Sequence, residues 1–385
     1  MNPPNRNVAV FAAAFLVLCA TAPTVQAQDI KIGGLLETSG FIASLGGPGV
    51  DGVNLAVEQV NAAGGINGRK VQFINVNSES DNTKTVSGAK RLIEQEKVVA
   101  IVGPMSSGSV FAITETVERA KVPMIANGAS RGIVLPPEQK RYTFLAPLTD
   151  VVVLGVILKD MQAKGIKKIA ILNSDVAFGT GGRDSLEKAV GAAGITIVDK
   201  ETFGNADTDM TPQLTKIRGS DAQATVLWAT GAGLAIATKN HRSLGIKTPL
   251  YLAHSANDFN FLRLAGDAAN GILLPSSKIY VTGALPAADP QKAVVEGFVQ
   301  AYEKKYGKPP ATFAGNGFDA AMMIMNAVKK AGTDSQKVRD AIEATHDYIG
   351  VTAVYSYGAA DHFGTKPESV VMLTVRDGKF ALAGR

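Results

Sequence analysis

The 385-residue chain contains one cysteine, one tryptophan and four histidines. Charged residues make up 19 %, and the net charge of +5 is not gathered into any block. A nucleic-acid surface needs a basic stripe, and none is present. Cys19 lies inside the first apolar segment, so after residue 27 the chain has no disulfide, thiolate metal site or cysteine nucleophile. The histidines, His241, His254, His346 and His362, show no metal-ligand spacing and no HExxH. No GxSxG nucleophile elbow occurs, and no acid–base pair stands out. An enzyme, a metal site and a cofactor are therefore not expected.

Long hydrophobic runs are also missing. Val8–Ala20 is the longest, too short to cross a bilayer comfortably. It is followed by TAPTVQAQD, in which Val25-Gln26-Ala27 has the small-residue pattern of a cleavage site. Residues 1–27 read as a secretory signal peptide, the alternative being an N-terminal anchor. Cys19 follows Leu18 rather than a small residue, which argues against a lipoprotein. The expected protein is exported and soluble.

What is abundant is glycine, 40 residues, and alternation of apolar strands with amphipathic helices. IKIGGLL (30–36), VQFINVN (71–77), VVAIVG (98–103) and VPMIAN (122–127) read as strands. Helices are expected over 50–62, 83–95 and 108–119. A second set begins after Asp150, with strands at 167–173, 195–203, 224–230, 249–253 and 271–275. Its helices are expected at 151–163, 178–193, 211–218 and 233–243, and later ones at 290–306, 316–330 and 335–344. This alternation predicts α/β architecture with two doubly wound parallel-sheet lobes. Ligands of such sheets bind beyond the carboxyl ends of the strands. The loops after 36, 103, 127, 173, 230 and 253 are the ones to inspect.

Gly47-Pro48-Gly49-Val50-Asp51-Gly52 matches GxGxxG, with Glu79 past the next strand. The first glycine lies too far beyond its strand for a dinucleotide turn, and a plain loop into a helix is the simpler reading. Gly103-Pro104-Met105-Ser106-Ser107-Gly108 places hydroxyls where a strand becomes a helix. Free N–H groups there attract an anion, or one serine simply caps the helix. Gly128-Ala129-Ser130 adds a hydroxyl beside permissive backbone.

The segments IKIGGLLETSG, GVNLAVEQVNAAGGINGRKVQF, VVAIVGPMSSGSVFA, VPMIANGAS, LAGDAANGILLP and Phe318-Asp319-Ala320 together carry a resemblance. Over about 30–380 the chain resembles the branched-chain-amino-acid-type substrate-binding proteins of bacterial ABC importers, a type I periplasmic binding fold. The resemblance implies two lobes joined by a three-strand hinge with crossings near 146, 277 and 350. That places 28–146 and 277–350 in the first lobe, and 147–276 and 351–385 in the second. It implies carboxylate binding at Ser107, carboxylate and amino-group binding at Gly128 and Ser130, an aromatic contact at Phe178, and a first-loop contact at Leu45. It also implies a second-lobe loop at Thr230 and Gly231, with His254 where amino-acid binders carry a glutamate for the ligand ammonium.

An imidazole is a poor partner for an ammonium. The expected ligand is therefore a small carboxylate without an α-amino group. Leu45, Phe178 and Phe318 favour an aromatic acid, as in the benzoate- or hydroxycinnamate-binding members that such a family contains. The alternative is a branched-chain or other hydrophobic amino acid, its ammonium met by another acid such as Asp175 or Asp258. The implied partner is an ABC permease in the inner membrane, with the protein a periplasmic monomer closing on its solute. Ligand sensing for a membrane receptor and a periplasmic enzyme are the other classes.

Overall fold

The computed structural model describes residues 28–384 together with Met1. The expected signal peptide, residues 2–27 of it, lies outside the described residues. Among the described residues no helix is long and apolar enough to cross a membrane.

Among the described residues fourteen strands form two large sheets and one small one. The first sheet contains β1 (Ile30–Gly34), β2 (Val71–Asn75), β3 (Ile101–Val102), β4 (Met124–Ala126) and β5 (Thr143–Leu145), in the order β2-β1-β3-β4-β5. All its pairings are parallel. Its inner strands are buried and, apart from Lys31 of β1, apolar on both faces because helices cover both. The connecting helices are α1 (Ala43–Ala62), α2 (Asn82–Lys90) and α3 (Ser107–Ala120).

In the second lobe α4 (Asp150–Ala163), α5 (Ala177–Val190), α6 (Thr211–Gly219), α7 (Ala232–Ser243) and α8 (Phe259–Ala265) surround the sheet. That sheet contains β6 (Lys168–Ser174), β7 (Thr196–Phe203), β8 (Ala224–Trp228), β9 (Leu250–Leu252) and β10 (Leu273–Ser276). The chain then returns to the first lobe as α9 (Lys292–Tyr306), α10 (Thr312–Ala331) and α11 (Ser335–Glu343). The small sheet, β11 (Tyr348–Ile349) with β12 (Val354–Tyr355), follows. Last come β13 (Val371–Arg376) and β14 (Lys379–Leu382), antiparallel strands that complete the second sheet as β14-β13-β10-β9-β8-β6-β7.

Three differences from the sequence reading have physical causes. Helix α1 begins at Ala43 rather than 50, with Pro48 inside it. Its glycines are contact points, not a phosphate turn. A Cβ on Gly52 would stand 1.9 Å from the Ala314 carbonyl oxygen of α10, and one on Gly317 would stand 2.2 Å from the Gly49 oxygen. The glycine-rich stretch lets two helix backbones touch. Second, β5 and α8 are too short for a periodic signal to reveal them.

Third, residues 351–365 stay with the first lobe, so the last crossing lies later than the expected 350. Tyr357 Oη donates to the Leu145 carbonyl at 2.6 Å, and the Leu145 amide donates to His362 O at 3.1 Å. Asp319 of α10 fixes the turn before β12. Its carboxylate accepts from Val351 N at 2.7 Å, Thr352 N at 2.8 Å and Thr352 Oγ1 at 2.7 Å. Tyr355 Oη in turn donates to Ala146 O, just after β5. Burial raises the Asp319 pKa to about 6 against these hydrogen bonds.

Candidate functional site

A cleft of about 510 Å³ lies between the carboxyl ends of the two sheets and is lined by both lobes. That size suits an enclosed small molecule. On the first lobe Phe41 comes from the turn before α1 and Leu45 from its start, and Met105, Ser106 and Ser107 from the β3–α3 turn. Asn127 and Ala129 follow β4, and Phe313 opens α10. On the second lobe Phe178 begins α5, Thr230 follows β8, and His254 and Ser255 follow β9.

The lobes touch across this cleft. A Cβ on Gly181 would stand 2.6 Å from Ser130 Oγ, and one on Gly231 would stand 3.1 Å from Phe41 O. Gly231 has φ +69°, so glycine is needed there for conformation as well as space. The Ser44 hydroxyl hydrogen-bonds Asp258 across the gap. Behind the cleft-lining Ala129, whose carbonyl accepts from the Asp150 amide, Asp150 Oδ2 accepts from the Arg131 amide at 3.2 Å and from Ser185 Oγ at 2.8 Å. Burial raises the pKa of both Asp150 and Asp258.

Of the residues expected at the site, Leu45, Ser107, Phe178, Thr230 and His254 line the cleft. Gly128, Ser130 and Gly231 stand directly behind its wall. Gly128 packs on Ser107, its position for a Cβ lying 3.0 Å from Ser107 Cα. The Ser130 amide donates to Ser107 Oγ at 3.3 Å, which leaves the Ser107 proton free for another acceptor. Phe318 is not a cleft residue. It packs edge-on against Phe298 with centroids 5.0 Å apart, and Phe313, one and a half helical turns earlier, takes the cleft position. Asp175 accepts from the Asn205 amide at 2.9 Å, and Asp258 caps α8 by accepting from the Asn260 amide at 3.0 Å. Neither is among the cleft-lining residues.

His254 belongs to an aromatic wall. Its ring lies 5.5 Å from Phe178 and 6.0 Å from Trp228, both edge-on, and Phe178 lies 5.7 Å from Trp228. Burial lowers the His254 pKa to about 4, so the imidazole is neutral at physiological pH. Its Nδ1 is buried without a partner, as are Thr230 Oγ1 and both amide atoms of Asn127. Buried polar atoms are normally paired, so such orphans along a cleft mark groups that await a ligand or water. Ser107 and His254 form no hydrogen-bonded nucleophile–base pair among the described residues.

Besides Phe313, two residues escaped the sequence reading. Asn127 ends the VPMIAN strand and gave no signal beyond its position in a switch-point loop. Glu37 did give one, as a lone acid opening the loop after β1. Its carboxylate is fully buried and accepts from Met105 N at 2.9 Å and Ser106 N at 3.2 Å. The anion at the α3 turn is thus partly internal. Burial raises the Glu37 pKa, while those amides pull it down.

The model of the periplasmic binding protein family matches residues 29–379. The chain belongs to this family. It is 25 % identical over 369 residues to Leu/Ile/Val-binding protein homolog 7 of Brucella abortus, spanning 91 % of this chain and 90 % of that protein. Among solved structures, an extracellular ligand-binding receptor from Rhodopseudomonas palustris HaA2 superposes with a TM-score of 0.85 at 25 % identity, covering 92 % of this chain and 99 % of that one. The branched-chain amino acid transporter substrate binding protein LivJ from Streptococcus pneumoniae, in complex with isoleucine, superposes at 0.80 with 29 % identity, covering 92 % and 98 %. The two lobes are those of a type I periplasmic binding protein. The binding-protein names of the relatives accord with a cleft that has orphaned polar groups.

Proposed function

We propose that this periplasmic binding protein captures a small hydrophobic carboxylate for an ABC-type importer, and that hydrophobic amino acids are the first ligands to test. The observation that carries the carboxylate is the Ser106–Ser107 turn, where hydroxyls and helix N–H groups meet apolar walls from Leu45, Phe178 and Phe313. The amino-acid class rests on the relatives, whose names are Leu/Ile/Val-binding and branched-chain amino acid transporter proteins. Those names favour it over the aromatic acid expected from His254 alone.

One observation favours the second reading, an aromatic acid lacking an α-amino group. The cleft wall holds a single acid among the described residues, Asp81, and its Oδ1 already caps α2 by accepting from the Lys84 amide at 2.8 Å. The neutral imidazole of His254 donates or accepts a hydrogen bond but does not balance an ammonium. Residues 1–27, read as a cleavable export signal, would deliver the protein to the periplasm, where an inner-membrane permease would take the closed, loaded form.

A thermal-shift screen on protein stripped of ligand by unfolding and refolding decides between the readings. It sets leucine, isoleucine, valine and phenylalanine beside benzoate, 4-hydroxybenzoate and p-coumarate. A ligand bound only by the folded state raises Tm by linkage. Shifts with the amino acids support the first reading, and shifts with the aromatic acids alone replace it with the second. No shift with either set sinks the carboxylate assignment.

A further inference from the structure

We propose that Glu37 is a positioning residue for the solute site, holding the Met105–Ser106 backbone so that Ser106 and Ser107 face the cleft, and that its proton is linked to capture of the ligand carboxylate. This rests on the reading of the cleft as a carboxylate site.

The geometry is direct. Glu37 leaves the end of β1 and turns under the β3–α3 loop, where its two oxygens accept separately from the Met105 and Ser106 amides. Ser106 is the N-cap residue of α3, but its own side chain caps nothing. The turn is thus held by a carboxylate from another strand rather than by local capping. Two amides donating to one bidentate anion fix the peptide between them, and charge-assisted hydrogen bonds are the stronger kind. Both Met105 and Ser106 line the cleft, and Ser107 follows as the first residue of the helix.

A solute carboxylate at Ser107 would therefore share one helix N-terminus with Glu37. Two anions in one weakly solvated region repel each other, and a like charge favours protonation of the more basic one. Solute binding should take up a proton on Glu37, and affinity for a monocarboxylate should rise as pH falls.

The charged groups on the surrounding elements are engaged elsewhere. Lys31 of β1 pairs with Glu96, and Asp51 of α1 pairs with Lys308. On α3, Glu115 pairs with Arg119, and Glu118 accepts from the Tyr142 amide. Across the cleft stand neutral His254, with Asp258 behind it bonded to Ser44, and Asp81 lies at the α2 cap. None of these neutralises Glu37.

The test uses ¹⁵N–¹H spectra of the processed protein from pH 4 to 8, without and with leucine, benzoate or acetate as the probe carboxylate. Wild type, Glu37→Gln and Glu37→Ala are compared, and Kd for each probe is measured at pH 5.5 and 8. In the free wild-type protein the Met105 and Ser106 amides should follow one titration with a midpoint above 4.5, absent in both variants. A probe that binds should move that midpoint up by at least half a unit and bind about threefold or more tighter at pH 5.5. Glu37→Gln should lose that pH dependence and retain a wild-type fold, judged by its dispersed spectrum.

Amides that do not titrate, or that titrate identically in Glu37→Gln, overturn the positioning role. A probe that binds with the same Kd at both pH values and an unmoved midpoint overturns the proton linkage while leaving the carboxylate site intact. No binding of any probe to wild type overturns the linkage together with the carboxylate reading, and the ligand-free titration then still decides the positioning role.

Discussion

Trp228 meets His254 edge-on, with ring centroids 6.0 Å apart, behind a cleft wall that His254 shares with Phe178. It is the only tryptophan in the sequence. Any ligand that reaches His254 or closes α5 onto the cleft changes the surroundings of this one indole. Intrinsic fluorescence should therefore shift on adding the solute, with no labelling. Trp228→Phe should abolish the signal while isothermal calorimetry still detects binding. An unchanged wild-type spectrum at saturating solute would show that the wall does not take part.

Ser107→Ala removes the hydroxyl that the Ser130 amide orients. The variant should bind about tenfold or more weakly, corresponding to about 1.5 kcal/mol for a hydrogen bond to a charged group. Its melting temperature without solute should change little. Titration calorimetry checks the affinity, and equal affinity would place the ligand carboxylate elsewhere.

His241 is fully buried in α7 with neither ring nitrogen paired, and burial lowers its pKa to about 4. Its folded pKa lies below the unfolded value of 6.5, so the neutral form is the one that folding selects. Its contribution is complete above pH 6.5 and is lost as pH falls toward 4, about 3 kcal/mol at most. His241→Leu should flatten the loss of stability between pH 7 and pH 4.5 in urea melts. An acid limb as steep as wild type would assign it to other groups, His254 among them.

Asp319 carries the opposite sign. Its carboxyl is raised to about 6, so its contribution is present at low pH and declines as pH rises through 6. Asp319→Ala leaves the Val351 and Thr352 amides without their acceptor and should cost about 3 kcal/mol in urea unfolding at pH 5. A loss below about 1 kcal/mol, the size of one net hydrogen bond, would mean that water replaces the carboxylate.

Gly317→Ala tests the helix crossing. The new methyl carbon would stand 2.2 Å from Gly49 O, a backbone atom with little freedom to move. The expected cost is about 2–4 kcal/mol, the range of overpacked core substitutions and above. Gly47→Ala is the control, since a Cβ there meets nothing within 4 Å.

The alternation of strands and helices was legible because strands such as Ile169–Leu172 are buried on both faces and helices such as α10 keep a regular apolar face. Three-residue β5 carries no such pattern, and its place depends on pairing with β4. At the site, Ser107, Phe178 and His254 were legible from the loop rule and the family resemblance. Phe313 was not, because the start of α10 depends on Tyr280, whose Oη accepts from the Thr312 amide at 3.0 Å. Asn127 and Glu37 were hidden differently: Asn127 has no side-chain partner to mark it, and Glu37 meets the Met105 and Ser106 amides 68 and 69 positions away, so no local spacing announces either.

The late return of the chain bears on how the protein is made. Helix α10 packs its glycine face on α1, Tyr302 reaches Asp51 across 251 positions, and β13 supplies the neighbour of β10 from the far end of the sequence. Each lobe thus lacks a wall or a strand until nearly the whole polypeptide is available. Contacts of such long sequence separation form slowly. Neither lobe of this design completes its core before α10 and β13 are available, so its two halves reach their final form together.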